Sequence, residues 1–368
     1  MRVALVLTQD RGGPVDLTVG LALELAARDG GPEVVIIGPK PTTSAGDASA
    51  LLQVAQVRHK ADRAGMADVR GALARVRPDV VHAQDRRAGL VLSIAARPPG
   101  RAPLVATYHG VPDEAAGRYL TDGPLAGRVP SPRARALLGA DAAVARLVRM
   151  TVAPSEAMHQ FLRSRLHVPA HRLRVIHNGV ALPPARPPSG GARRFVAVGS
   201  FAPLKSMPTL VAVFADLART RPGLSLRLVG DGEDRERTER LARDLGVASA
   251  VEFTGYRQDV PAQLAGCDAF VLPSVNENLP LALLEAMGAG LACVASRVGG
   301  VPEALPPGAG LLVRPGDAGE LSAALARLAD EPTLATELGE RAAVIARERF
   351  SVAACADAHV ALWREMCT

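Results

Sequence analysis

The stretch that decides the fold is residues 273–303, PSVNENLPLALLEAMGAGLACVASRVGGVPE. It follows an apolar run, Asp268–Leu272, and opens as a loop carrying Glu277, Asn278, Leu279 and Pro280. The pattern predicts an apolar helix over Leu281–Met287, stopped by Gly288 and Gly290, and then a short strand over Leu291–Ala295. Proline near the first helical position and glycine just past the last is the asymmetry of a short helix. The first N–H groups and positive dipole end of that helix would face the loop holding Glu277, a place suited to an anion, phosphate above all. Glu285 falls in the second turn. Carboxylates only accept hydrogen bonds, so two of them beside a phosphate cradle suit a polyhydroxylated ligand such as a ribose and a sugar ring. The plainer alternative is a buried helix whose two glutamates reach solvent.

Outward from this stretch, strands and helices alternate in both directions. Val3–Leu7 reads as a buried strand, followed by Arg11-Gly12-Gly13-Pro14 and a helical pattern over Val15–Ala27, the first unit of a doubly wound sheet. Gly12-Gly13 lacks the further spaced glycine of a dinucleotide fingerprint and by itself reads as a tight turn. Val34–Ile37, Val80–His82, Leu104–Thr107 and Val152–Ala153 are further apolar runs, residues 40–50 read as a loop, and Arg174–Val180 closes the half. Three polar groups fall at strand ends, where open α/β sheets bind ligands: His82-Ala83-Gln84-Asp85, Thr107-Tyr108-His109-Gly110 and Asn178-Gly179.

Residues 183–193, PPARPPSGGAR, break the composition as a linker does. The pattern then restarts with a strand over Phe195–Val198, the loop Gly199-Ser200-Phe201-Ala202-Pro203-Leu204-Lys205 and a helix to about Arg219. Leu226–Val229, Val251–Phe253 and Ala269–Leu272 continue as strands. Gly230-Asp231-Gly232 is a fragment of a nucleotide fingerprint and implies no NAD site. Lys205 is the one lysine beyond position 60 in a chain that otherwise uses arginine. At the start of a helix, whose dipole end is already positive, a lysine makes sense if an anion sits there. Two amphipathic helices, Asp317–Ala329 and Pro332–Ala346, precede a last helix that starts at Phe350-Ser351 and carries Trp363.

At 368 residues the chain exceeds one ordinary core, so two domains are expected: 1–185 and 193–350, with 186–192 as linker. No apolar run is long enough to span a membrane, and the N-terminus lacks the pattern of a signal peptide. Cys267, Cys293, Cys355 and Cys367 show no metal-ligand spacing, which suits reduced thiols in a cytoplasmic protein. Residues 1–185 hold 24 Lys and Arg against 15 Asp and Glu, while the remainder hold 19 against 22. A basic first half suits an anionic acceptor or peripheral contact with an anionic membrane, at the inner face for a cytoplasmic protein. Aromatic residues make up 3% of the chain, too few to offer bases a stacking surface, so no nucleic-acid partner is expected.

Glu277 and Glu285, separated by seven residues and followed by EAMGAG and VGGVPE, resemble the signature of the family-4 retaining glycosyltransferases (glycosyl transferases group 1) of the GT-B fold. The resemblance spans nearly the whole chain and is closest over 195–350. It implies two Rossmann-like doubly wound parallel-sheet domains facing a central cleft, with the final helix, 351–368, joining the first. The implied activity is that of a hexosyltransferase, moving a sugar from a UDP- or GDP-sugar to an acceptor hydroxyl with retention, without metal or cofactor. Glu277, Asn278, Leu279 and Glu285 would hold the donor together with Gly13, Gly199, Ser200, Lys205, Tyr256 and Arg257. His109 matches the family's T-x-H-G loop, whose histidine lies against the transferred sugar and acceptor. Gly12, Gln84, Asp85 and His109 fall on the acceptor side, and His109, Lys205 and Glu277 would be catalytic. Two positions depart from the pattern: Ser200 stands where an arginine follows the glycine, and Gln84 stands where many relatives have a second histidine. These departures keep open a non-catalytic partner subunit, beside a nucleotide-sugar epimerase. The acceptor could be a cyclitol, a natural-product aglycone, a glycolipid or a saccharide.

Overall fold

The computed structural model describes every residue except 43–46, 60–61, 96–99, 101, 120–122 and 185–190. Of the expected linker, residues 186–190 lie outside the described residues. The chain forms two compact units. The first comprises Met1–Ala115, Pro130–Ala181 and Phe350–Thr368, and the second Ala116–Val129 and Leu182–Arg349.

The first unit holds one parallel sheet built from β1 (Arg2–Val6), β2 (Glu33–Gly38), β3 (Leu52–Val54), β4 (Val80–Ala83), β5 (Leu104–Thr107), β6 (Met150–Ala153) and β7 (Leu173–Val175). Its order is β3-β2-β1-β4-β5-β6-β7, so the winding reverses between β1 and β4. β1, β4, β5 and β6 are buried and mostly apolar because helices cover both faces. On one face Val3, Leu5, Val80, Val105 and Val152 pack against Val360, Leu362 and Trp363 of the final helix, Val352–Cys367. That helix is capped by the Ser351 hydroxyl, which accepts from Ala354 N. Its approach requires a glycine at 179, where a Cβ would stand 2.4 Å from that of Cys355. On the opposite face Ala83, Ala106 and Leu104 meet the helices that follow β4 and β5.

The second unit repeats the plan with β8 (Arg194–Val198), β9 (Ser225–Val229), β10 (Val251–Gly255), β11 (Ala269–Leu272), β12 (Ala292–Ser296) and β13 (Leu311–Val313), in the order β10-β9-β8-β11-β12-β13. All its pairings are parallel. Its core brings Phe195, Leu226, Leu228, Val271 and Val294 against the helix Met207–Thr220 and the helix Ala318–Asp330.

The segment 116–129, which the sequence left in the first domain, belongs to the second unit. Its contacts explain the placement. The Tyr119 hydroxyl donates to Asn278 Oδ1 at 3.4 Å, and Gly123 sits so close to Pro315 that a Cβ would lie 2.4 Å from the ring.

Candidate functional site

In the second unit the donor-side residues come together through two close backbone approaches. Gly199 directly follows β8, and its carbonyl oxygen lies 1.9 Å from where a Cβ on Gly230 would stand. Gly230 and Gly232 also adopt φ of +138° and +153°, conformations that side chains disfavour. The Gly-Asp-Gly fragment is therefore a shelf under the Gly199-Ser200-Phe201 loop, and Phe201 N donates to Asp231 O at 2.9 Å. Phe201 is fully buried and anchors the loop, whereas Ser200 is exposed. Lys205 stands on a short 3₁₀ turn, Pro203–Lys205, ahead of the helix Met207–Thr220. Ser206 between them is left-handed, with φ of 54°.

The second approach fixes the Glu277 loop. Gly300 N donates to Asn278 O at 2.6 Å, and a Cβ on Gly299 would lie 2.1 Å from Glu277 O. The two glycines of VGGVPE thus let the loop carrying Glu277 lie directly on them. Lys205 Nζ donates to Glu277 Oε1 at 2.5 Å, pairing a cation 26% exposed with a carboxylate 8% exposed. The remaining lone pairs of that carboxylate can accept further hydroxyls. Three residues on, the helix Leu281–Gly288 begins after Pro280, with no side chain capping its first turn. Glu285 lies half-buried in its second turn. At the end of β10, Tyr256 is 56% exposed, and Arg257 is held by Asp259 through two bonds of 2.8 Å.

In the first unit Gly12 is left-handed, with φ of 95°, and heads the helix Gly13–Ala26. Burial pushes the Asp16 carboxyl in that helix's first turn up to about 6. Asp85 is buried and fully engaged. It accepts from Thr8 N at 2.5 Å, Thr8 Oγ1 at 2.7 Å and Ala88 N at 2.8 Å, tying β1 to the helix Arg86–Ile94 as its N-cap. Gln84 is buried, and its amide nitrogen has no partner among the described residues. His109 hydrogen-bonds the Gln84 backbone, and desolvation, with a smaller contribution from His359, holds its imidazole down at about 4. Gln84, Asp85 and His109 are thus gathered at the ends of β4 and β5.

Beneath His109 lies His82 on β4. The Trp363 indole N–H can only donate, so His82 Nδ1, at 3.3 Å, accepts. His82 Nε2 then carries the proton towards Thr107 Oγ1 at 2.8 Å, and complete burial drives the group's pKa well below the usual histidine value.

Beside these residues opens a cavity of about 390 Å³ lined by Thr8, Tyr108, His109, Arg86 and Asp141 together with apolar side chains. Arg86 pairs with Asp141 at 2.7 and 2.8 Å, and the Tyr108 hydroxyl donates to the same carboxylate at 2.8 Å. Burial and that carboxylate push the Tyr108 phenol far above the ordinary tyrosine range. The sequence reading missed Arg86, Asp141, Tyr119 and the roles of Thr8 and Gly299. The glycine was visible in VGGVPE, but no local pattern joins Asp141 to Arg86 across 55 positions.

Two parallel doubly wound sheets with these loops at their strand ends define the GT-B class of fold. The Anabaena protein HepE, solved in complex with UDP, superposes on 99% of this chain and 100% of its own with a TM-score of 0.79 and 20% identity. The family model described as Glycosyltransferase Family 4 matches residues 11–182, and that described as Glycosyl transferases group 1 matches 183–344. The chain belongs to the family-4 glycosyltransferases. The lipopolysaccharide core biosynthesis glycosyltransferase LpsE of Rhizobium meliloti is 35% identical over 45% of this chain and 48% of its own. The MMP alpha-(1->4)-mannosyltransferase of Mycolicibacterium hassiacum is 32% identical over 60% of this chain and 55% of its own. The chain spans about half the length of the curated relatives it matches. Among the described residues no helix is long and apolar enough to cross a membrane.

Proposed function

We propose that the chain is a retaining hexosyltransferase that moves a sugar from a nucleotide-diphosphate sugar to an acceptor hydroxyl. The observation that carries this reading is the Lys205–Glu277 pair, built onto the Gly199 and Gly299-Gly300 supports just ahead of the helix Leu281–Gly288. As the glycosidic C–O bond breaks, negative charge grows on the leaving diphosphate. Lys205, backbone N–H groups around Asn278-Leu279 and the helix dipole would stabilise it there. Those groups supply positive charge without a metal, and the sequence has no Asp-x-Asp motif. Glu285 would take the ribose hydroxyls. Glu277 would take the donor sugar's hydroxyls and favour positive charge at the anomeric carbon. His109, neutral at physiological pH, would orient sugar or acceptor as a hydrogen-bonding group. No carboxylate presents itself as a nucleophile for double displacement. As the family resemblance implies, the reaction would proceed on one face, with the leaving phosphate receiving the acceptor proton.

UDP and GDP are the first nucleotides to test, since the family resemblance favours their sugars as donors. Calorimetric binding of UDP, GDP, dTDP and ADP, with and without magnesium, tests the site. The expected result is metal-independent binding of one nucleotide, weakened at least tenfold by Lys205→Ala, the worth of one charge-assisted contact. Binding of none would overturn the reading in favour of a non-catalytic partner subunit. Epimerised nucleotide sugar formed without acceptor would favour the epimerase.

A further inference from the structure

We propose that the cavity of the first unit receives the apolar body of the acceptor, so that the acceptor is a compact hydrophobic molecule bearing a hydroxyl, not a free saccharide. This rests on the glycosyltransferase reading for what happens to that hydroxyl, but the binding itself is separable. The cavity is lined by Thr8, Asp85 and His109, at the C-terminal ends of β1, β4 and β5, where a doubly wound sheet takes its ligands. It exists because the residues facing it are small. Ala106 and Thr151 are partners in register on β5 and β6, and Gly89, Ala140 and Ala145 face them from the two covering helices. Leu90, Leu137 and Val144 complete apolar walls around about 390 Å³, a volume in the range of small-molecule sites.

The polar groups in the cavity are the wrong kind for a saccharide. A sugar ring needs many available acceptors and donors, yet the two carboxylates of the cavity are already engaged by protein donors. Asp85 is filled by Thr8 and Ala88, and Asp141 by Arg86 and Tyr108. The Arg87 guanidinium donates to Val57 O and Arg58 O. Thr151, 2% exposed, keeps a buried hydroxyl with no partner among the described residues. An unsatisfied buried hydroxyl is unfavourable unless something meets it. A ligand with a hydrophobic body and one polar atom at its deep end satisfies Thr151 while leaving its reacting hydroxyl towards His109.

The test titrates the full chain, with and without UDP, with 2-naphthol as a ring probe, n-decanol as a chain probe and methyl α-D-glucoside as a sugar probe. Saturable binding of either apolar probe is expected, and which one binds distinguishes a ring aglycone from a lipid chain. Ala140→Phe should fill the cavity and lower that affinity at least tenfold while leaving UDP binding unchanged. Thr151→Val, which keeps the shape, should lower it about fivefold, the worth of one neutral hydrogen bond, without lowering Tm. Binding of the glucoside alone, or apolar binding indifferent to both substitutions, would overturn the proposal. Apolar binding that responds to the substitutions in a chain that binds no nucleotide would sustain the cavity and overturn the donor reading instead.

Discussion

At the scale of single residues, the Lys205–Glu277 pair bears on stability as well as on the proposed chemistry. Glu277 is 8% exposed, so removing its cation leaves a nearly buried carboxylate uncompensated. Breaking buried pairs costs about 3–5 kcal/mol, and Lys205 is a quarter exposed, so about 1–3 kcal/mol is expected for Lys205→Met. Adding Glu277→Gln removes the stranded charge. The double variant should recover most of the stability in urea unfolding and none of the turnover. A second residue-scale prediction concerns Gly299. Its φ of +51° and the carbonyl of Glu277, 2.1 Å from where a Cβ would stand, leave no room for a side chain. Gly299→Ala should push the Glu277 loop off its support, with turnover falling at least tenfold and Tm falling by several degrees, as for ~1 kcal/mol or more of strain. Turnover unchanged in Gly299→Ala would break the link between this support and the site.

Elements show where sequence reading succeeds and where it stops. The central strands β1, β4, β5, β8 and β11 were legible because burial on both faces writes an uninterrupted apolar run. The three-residue edge strands β3 and β13 were not, since each pairs on one side only and is too short for a period to register. The helix Leu281–Gly288 was legible from its proline and glycine bounds. Asp85 was legible as a polar residue at a strand end, but its engagement by Thr8 depends on a partner 77 positions away. The structure shows that carboxylate tying Thr8 to the cap of the helix Arg86–Ile94. Asp85→Ala should cost about 1–2 kcal/mol through the lost cap alone, with the Thr8 tie adding to it. Because the same carboxylate sets the helix Arg86–Ile94 beside the cavity proposed for the acceptor, KM for acceptor should rise more than KM for donor. Equal changes in both would mean that the helix does not position the acceptor.

Across the whole molecule, charge and histidine are distributed unequally between the two units. All eight histidines fall in the first unit, and the second has none. Burial holds the pKa of His109 and His359 down at about 4 and that of His82 well below the ordinary histidine value, all three around the seat of the C-terminal helix. The sign follows from linkage. A histidine depressed in the folded state is neutral there and protonated more readily when unfolded, so its stabilisation is full above about pH 6.5 and is lost as pH falls towards 4. For His359 alone the shift corresponds to roughly 3 kcal/mol. Asp16 works in the opposite sense, since its raised pKa, about 6, makes its protonated form the favoured one and offsets part of the loss. Carboxylates of the second unit are displaced downwards, Asp259 to about 2 by Arg257 and Asp330 by Arg221, so that unit keeps its ion pairs through the same window. Two units with separate cores need not unfold together. Differential scanning calorimetry at pH 7.5 and pH 5 should therefore show the first unit's transition moving down by many degrees while the second's stays within a few. His359→Phe and His82→Phe, each keeping a ring in the core, should shrink that separation at pH 5 even if they lower stability at pH 7.5. A common shift of both transitions, unaltered by either substitution, would place the acid sensitivity outside the histidine cluster.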